Sequence, residues 1–437
     1  MMLRLFLVLF LVVALPARAE LPIRTVTSPG GITAWLVEAR DIPFLALEIR
    51  FRGGTSLDAP ETQGAVNLMT ALLEEGAGDL DAQGFAAARE DLAASFAFSA
   101  GRDTVGVSAR MLTENRDAAV DLLRLALTAP RFDADAVERV RAQVLSGLRQ
   151  DARNPQRIAG ARFAALAFGA HPYGRDGNGT EDTVAALSRD DLVAAHRGAL
   201  ARDRLFVAAV GDIDAETLGP LLDRLLGDLP GAGLPMPPYA AAALAGGIAV
   251  EPFPGPQSVI AFGQPAIPRD DPDFLTALLV NEVLGGGRFG TRLTAEVREK
   301  RGLTYGIFSA LAASEFGSVL TGRVATANAT AAETIAVIRT EWARMASEGL
   351  TAEELAGIQT YMTGSYPLRF DGNARIADIL VGMQLQGFPP DYPATRNDKV
   401  RAITLEDANR VAARLYDPAA LTFVVVGEPE GLTGEGQ

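Results

Sequence analysis

Cysteine is absent from this 437-residue chain, and histidine occurs only twice, as His171 and His196. The first absence excludes disulfides, thiolate zinc sites, a cysteine nucleophile and lipidation of an N-terminal cysteine. The second excludes a zinc helix of the His-Glu-x-x-His or His-x-x-Glu-His kind, which needs two imidazoles one helical turn apart. His171 lies in a Pro/Gly loop and His196 in a helical pattern beside Arg197, so each reads as structural or solvated. No Gly-x-Ser-x-Gly is present, and Thr363-Gly364-Ser365 falls inside a helical pattern, where hydroxyls pack or cap. Basic residues are in deficit: 40 Lys and Arg face 54 Asp and Glu, for a net charge of −14. That balance argues against nucleic acid or anionic lipid as partners.

One long apolar run occurs, Leu5 to Leu15, and it is too short to span a bilayer. Arg4 precedes it and Ala17-Arg18-Ala19 follows, the order of a signal peptide with its cut after Ala19. Residues 1–19 are therefore expected to be removed, leaving a periplasmic or secreted protein with no stable membrane anchor. The remainder is ample for a core, since 48% of the chain is hydrophobic and 22% charged.

The chain reads as two halves of one kind. LSRDDLVAAH…RLFVAAVGDID closes the first and ITLEDANRVA…ALTFVVVGEPE the second, with Ser188 and Gly211 matching Thr404 and Gly427 at an offset of 216. Ala134, Val140, Arg157 and Ile158 match Ala352, Ile358, Arg375 and Ile376 at an offset of 218. Repeated offsets of this kind point to duplication. Pro and Gly concentrate between the halves, which gives a first unit over 20–228, a semi-extended linker over 229–246 and a second unit over 247–437. In each half, alternating apolar runs such as 45–51 and 105–112 predict strands, and runs such as 61–75 and 134–151 predict helices. The expected fold class is α+β: two halves, each a mostly antiparallel sheet with helices on one face, set as a clam-shell around a cavity.

Gly285 to Ser309, GGGRFGTRLTAEVREKRGLTYGIFS, carries the most information. Three glycines open it; Leu293 and Val297 then share one face of a charged helix that Gly302 closes. Tyr305 to Ser309 alternates and reads as a strand. The glycines follow a helix and no Gly-Lys-Ser/Thr comes after them, so they are a turn and not a phosphate cradle. Asp176 to Asp182 fits no calcium-loop spacing and also reads as a turn.

Two repeated α+β halves, the GGG turn and RLTAEVREKRGLTYGIFS resemble the M16 metallopeptidases, the insulinase/pitrilysin and processing-peptidase family with its LuxS/MPP-like metallohydrolase fold. Gly53-Gly54-Thr55-Ser56, the Ala170-His171-Pro172-Tyr173-Gly174 loop and Val210-Gly211-Asp212 support the likeness, which covers the whole mature chain. The family's catalytic half carries His-x-x-Glu-His and a later Glu. Here those positions fall on Asn67, Thr70, Ala71 and Gly147. None of the four can hold a tetrahedral zinc or act as a general base, so no cofactor is expected in this chain.

The resemblance also implies an Arg and a Tyr that reach the zinc-bound substrate from the C-terminal half, here Arg298 and Tyr305. A guanidinium can donate to a substrate carbonyl and a phenol to a developing oxyanion. Gly285, Gly286 and Gly287 are candidates for close approach of the peptide backbone. The expected function is that of the zinc-free subunit of a heterodimeric peptidase for unfolded peptides, with zinc in the partner subunit. The alternative is a non-catalytic peptide-binding or scaffold protein that keeps the M16 fold.

Overall fold

The computed structural model describes residues 21–432, so the expected signal peptide lies outside the described residues. The strands are β1 Arg24–Thr27, β2 Thr33–Glu38, β3 Phe44–Arg52, β4 Gly76–Ala77, β5 Leu80–Asp81, β6 Ser95–Ala100, β7 Thr104–Leu112, β8 Leu205–Gly211, β9 Gly247–Pro252, β10 Gln257–Pro265, β11 Ile307–Ser314, β12 Gly317–Ala327 and β13 Thr422–Gly427. The first large sheet runs β1-β2-β8-β3-β7-β6 and the second β11-β12-β10-β13-β9. Apart from the extra edge strand β1, the two orders superimpose: β2, β8, β3, β7 and β6 stand where β9, β13, β10, β12 and β11 stand. Each sheet has one parallel pair, β2 with β8 and β9 with β13, and is otherwise antiparallel.

Alternation along the strands sorts the side chains into two cores per sheet. Leu45, Leu47, Ile49 and Phe51 of β3 point into a core shared with the helices of the first half, among them Ala65–Ala71 and Ala215–Leu226. Ile260 and Phe262 of β10 do the same in the second, against Phe274–Gly285 and Ala331–Glu348.

The opposite faces are covered reciprocally. Helix Asn373–Leu385 of the second half lays Ala377, Leu380 and Val381 on Trp35, Ala46 and Val210 of the first sheet. Helix Pro155–Phe168 of the first half lays Ala159, Phe163 and Ala167 on Val259, Ala261 and Val424 of the second. These two helices occupy corresponding places in the repeat, at the same offset of 218. Each buried leucine or phenylalanine in such a contact stabilises by roughly 1.5–3 kcal/mol. The first contact also holds ions: Arg50 bonds Glu48 (2.8 Å) and Asp378 (2.9 Å), and Ser108 donates to Glu48 (2.7 Å). Burial raises the Glu48 carboxyl above its usual range.

Two further segments tie the body together. Residues 229–246 form no helix or strand, yet they are bonded down: Leu234 to Gly198, Ala240 to Phe316 and Ala243 to Ala167. In the 170–174 loop the Tyr173 hydroxyl donates to Asp103 (2.6 Å) and accepts from the Phe316 amide (2.9 Å), joining the first half to the β11–β12 turn. His171 accepts from the Tyr173 amide at Nδ1 and faces the Pro238 carbonyl at Nε2, 3.0 Å away. His196 is buried with Nε2 on the Leu127 carbonyl, 2.9 Å away. Both histidines hold backbone in place.

The helix expected over 61–75 is shorter in the structure, Ala65–Ala71, because Gly64 takes a left-handed φ of 94° and the chain turns again after Leu72. Among the described residues no helix is long and apolar enough to cross a membrane.

Candidate functional site

The degenerate zinc positions lie on helix Ala65–Ala71 and, for Gly147, on the exposed side of helix Ala134–Asp151. Thr70 is buried and its hydroxyl is spent on the Val66 carbonyl, 2.7 Å away. Ala71 is exposed, and an added Cβ at Gly147 would meet nothing. The donor chemistry at these four places does not fit zinc. Among the described residues no group of three or more His, Cys, Asp and Glu is placed to hold a metal ion. The helix nevertheless keeps a firm start. The Asp58 carboxylate accepts from the backbone N–H groups of Gly64 (3.0 Å) and Val66 (3.1 Å). Burial pushes this carboxyl up to about 7, against those bonds and nearby Arg175.

Arg298 and Tyr305 are brought together. Leu293 and Val297 are fully buried and anchor the segment, whose residues Thr294–Glu299 wind as a π-helix. Gly302 turns the chain at φ 64°, its amide bonded to the Arg298 carbonyl. Tyr305 does not lie in the strand, which begins at Ile307. Thr304 accounts for the delay: its hydroxyl donates to the Ala325 carbonyl (2.7 Å) and accepts from the Gly306 amide (3.2 Å), holding residues 304–306 in a turn. Tyr305 therefore stands clear of the sheet, 88% exposed. The Arg298 guanidinium packs over its ring at 4.7 Å and over the exposed Phe289 ring at 5.1 Å.

The neighbouring cations are committed elsewhere. Arg292 makes two 2.7 Å bonds to Glu354 and one to the Gly349 carbonyl. Lys300 and Arg301 both hold Glu296, whose carboxyl they keep below its ordinary value. Among the described residues Arg298 alone of these four has no ion pair; its only partners are two rings. Its donors are free for an incoming carbonyl.

The three glycines differ. An added Cβ at Gly285 would lie 2.4 Å from Ser309 Oγ and 2.8 Å from Leu293 Cδ1, so this residue serves the close packing of its helix on β11. Gly286 sits as tightly against Glu282, a carboxyl that burial raises above its usual range. Gly287 is exposed at φ 75° with nothing near it, and is the one of the three open to an approaching backbone.

A profile of the peptidase M16 inactive domain matches residues 186–362, which includes this whole segment. The chain is similar to the non-peptidase homolog YmxG of Helicobacter pylori, 25% identical over 386 residues that cover 88% of this chain and 89% of that one. It is also similar to an uncharacterized zinc protease of Mycobacterium leprae, 25% identical over 75% of this chain and 74% of that one. The crystal structure of a peptidase M16 inactive domain from Pseudomonas fluorescens superposes with a TM-score of 0.87 at 28% identity, over 95% of this chain and 99% of that one. These matches make the chain similar to M16 peptidases of the inactive type, and its own residues lack the zinc motif. A chain of Complex III2 from Candida albicans shares the fold, with a TM-score of 0.77 at 15% identity over 94% of this chain and 97% of that one.

Proposed function

We propose that this M16-like chain is the zinc-free subunit of a two-subunit peptidase for unfolded peptides, acting in the periplasm or outside the cell. Units 20–228 and 247–437 form half of the chamber, and a partner M16 subunit supplies the zinc and its general base. The observation that carries this reading is the contrast between two sites on one chain. Asn67, Thr70, Ala71 and Gly147 offer no zinc-ligand set, while half-buried Arg298 and exposed Tyr305 stand side by side, the arginine with no ion pair among the described residues. Arg298 donates to the substrate carbonyl and orients it; the Tyr305 phenol donates to the oxyanion as it forms. Open Gly287 leaves room for the substrate backbone. An assembled relative supports a paired state, since the Candida chain sits in a multi-chain complex.

The test is to purify the chain alone and together with an M16 chain from a neighbouring gene that keeps His-x-x-Glu-His. Turnover of an unfolded peptide by the mixture only, abolished by chelator, is expected. Chelator-sensitive proteolysis by this chain alone overturns the proposal.

A second reading, a peptide-binding or scaffold protein, is favoured by the name of the Helicobacter relative, a non-peptidase homolog. Arg298→Ala combined with Tyr305→Phe separates the two: unchanged turnover in an intact complex supports the scaffold.

A further inference from the structure

The second half contains a cavity of about 590 Å³ between helix Asn373–Leu385, helix Phe274–Gly285, residues 366–370 and helix Tyr392–Arg401. Its volume is that of a small-molecule site. Its walls are apolar and aromatic, with Leu275, Leu278, Phe370, Ile379, Met383 and the stacked pair Phe388 and Tyr392. Its charge is the opposite of the protein's. Five cations line it, Arg269, Arg369, Arg375, Arg396 and Lys399, against two carboxylates, Asp271 and Asp378. Both carboxylates are already engaged, Asp271 with Arg414 (2.6 Å) and Asp378 with Arg50 (2.9 Å).

Arg375 reaches Asp378 at 4.0 Å, but among the described residues the other four cations have no ion pair. Arg396 is buried, and its guanidinium meets the Met362 carbonyl (2.7 Å), the Asn397 amide oxygen (3.1 Å) and the Tyr366 ring (4.5 Å). Arg269 meets the Gln386 amide oxygen (2.8 Å), the Ala313 carbonyl (2.7 Å) and the Phe274 ring (5.2 Å). Lys399 lies over the Tyr392 ring (5.3 Å), and Arg369 stands exposed at the rim. Every acceptor and ring here is neutral. Burial lowers the affinity of Arg269 and Arg396 for their protons, and at Arg269 the charge of Glu315 opposes this only in part. In a chain with 14 more acids than bases, most other arginines have found a carboxylate. Cations left uncompensated in a partly dry cavity cost free energy unless an anion joins them.

We infer that this cavity binds a carboxylate carried on an apolar or aromatic body. The planar carboxylate matches the guanidinium fork, and the body fills the leucine and aromatic walls. A peptide carboxy-terminus and a free organic acid share this chemistry. The inference stands apart from the paired-subunit reading, because it uses none of the residues around Arg298.

Calorimetric titration of the full chain tests it with three probes: a tripeptide ending in phenylalanine, the same peptide amidated, and 3-phenylpropionate. Saturable binding of a carboxylate probe, at least tenfold weaker for the amide, is expected. Binding of the tripeptide acid alone assigns the site to chain ends; equal binding of 3-phenylpropionate assigns it to free acids. Two variants locate the site. Arg369→Ala with Lys399→Ala removes rim charge at exposed positions and is expected to weaken binding tenfold or more. Gly382→Phe fills the cavity from a helix position where an added Cβ meets nothing, and is expected to abolish binding while the protein stays folded by circular dichroism. No saturable binding by either acid, equal binding of the amide, or binding unaffected by Gly382→Phe overturns the inference.

Discussion

The Arg298 guanidinium lies 4.7 Å from the centre of the Tyr305 ring, at a position where Tyr305 is 88% exposed. The pair contributes little to the fold, since an exposed cation–π contact stabilises by about 0.5–1 kcal/mol. Arg298→Ala and Tyr305→Phe are therefore expected to change the unfolding free energy of the isolated chain by about 1 kcal/mol or less in urea titration. In the proposed assembly with a zinc-bearing partner, loss of one donor to the transition state should lower kcat by about 10²–10³-fold. A large loss of stability would show that the pair holds the fold together, and would remove its claim to chemistry.

Gly285 and Gly287 fail for different reasons when substituted. Gly285→Ala drives a methyl into Ser309 and Leu293, an overpacking expected to cost about 1–3 kcal/mol. Gly287→Ala meets no atoms but must hold φ 75°, a left-handed strain of roughly 1–2 kcal/mol. Asn tolerates that region, so Gly287→Asn should recover stability whereas Gly285→Asn should not. Urea midpoints of the four variants decide between contact and conformation at each position.

The reciprocal helices make each half depend on the other. Leu380 is fully buried on the first sheet although it belongs to the second half, and Phe163 is the mirror case. Leu380→Ala is expected to cost about 2–5 kcal/mol and Phe163→Ala about 3–5 kcal/mol. Hydrogen exchange gives the sharper readout. Leu380→Ala should speed exchange in β3 and β8, and Phe163→Ala in β10 and β13. Faster exchange confined to the half that carries each substitution would contradict this dependence.

Much of the fold was legible because its signals are local. Alternation in 45–51 and 105–112 marks β3 and β7, and Ser188 with Asp191 and Thr404 with Asp407 form capping boxes at the same offset that revealed the repeat. The exchange of helices was not legible, since nothing in Asn373–Leu385 says whose sheet it covers. Tyr305 was placed in a strand because its alternation is real. What stops the strand is a hydroxyl bond from Thr304 to Ala325, 21 residues away. The importance of Arg298 came from resemblance alone. Its freedom became visible only when Arg292 was found on Glu354, a partner 62 residues distant. The cationic cavity draws on helices spread over more than a hundred residues, so composition, which is acidic, concealed it.

Asp58 gives the last prediction, on pH. Its carboxyl caps the helix that carries Asn67 and Thr70, and burial raises it from 3.8 to about 7 in the folded chain. Between those values the folded state holds a proton that the unfolded state has lost. The slope of stability with pH is therefore negative there. The contribution of this group is fully present below about pH 4 and is lost as pH rises through about 7. Asp58→Asn stays neutral throughout, so wild type should lose ground to it steadily between pH 4 and 7 and hold a constant gap above about pH 8. Urea unfolding of both proteins at five pH values measures the gap. A gap that does not change from pH 4 to 8 would mean that the backbone N–H groups of Gly64 and Val66 keep Asp58 ionised despite its burial.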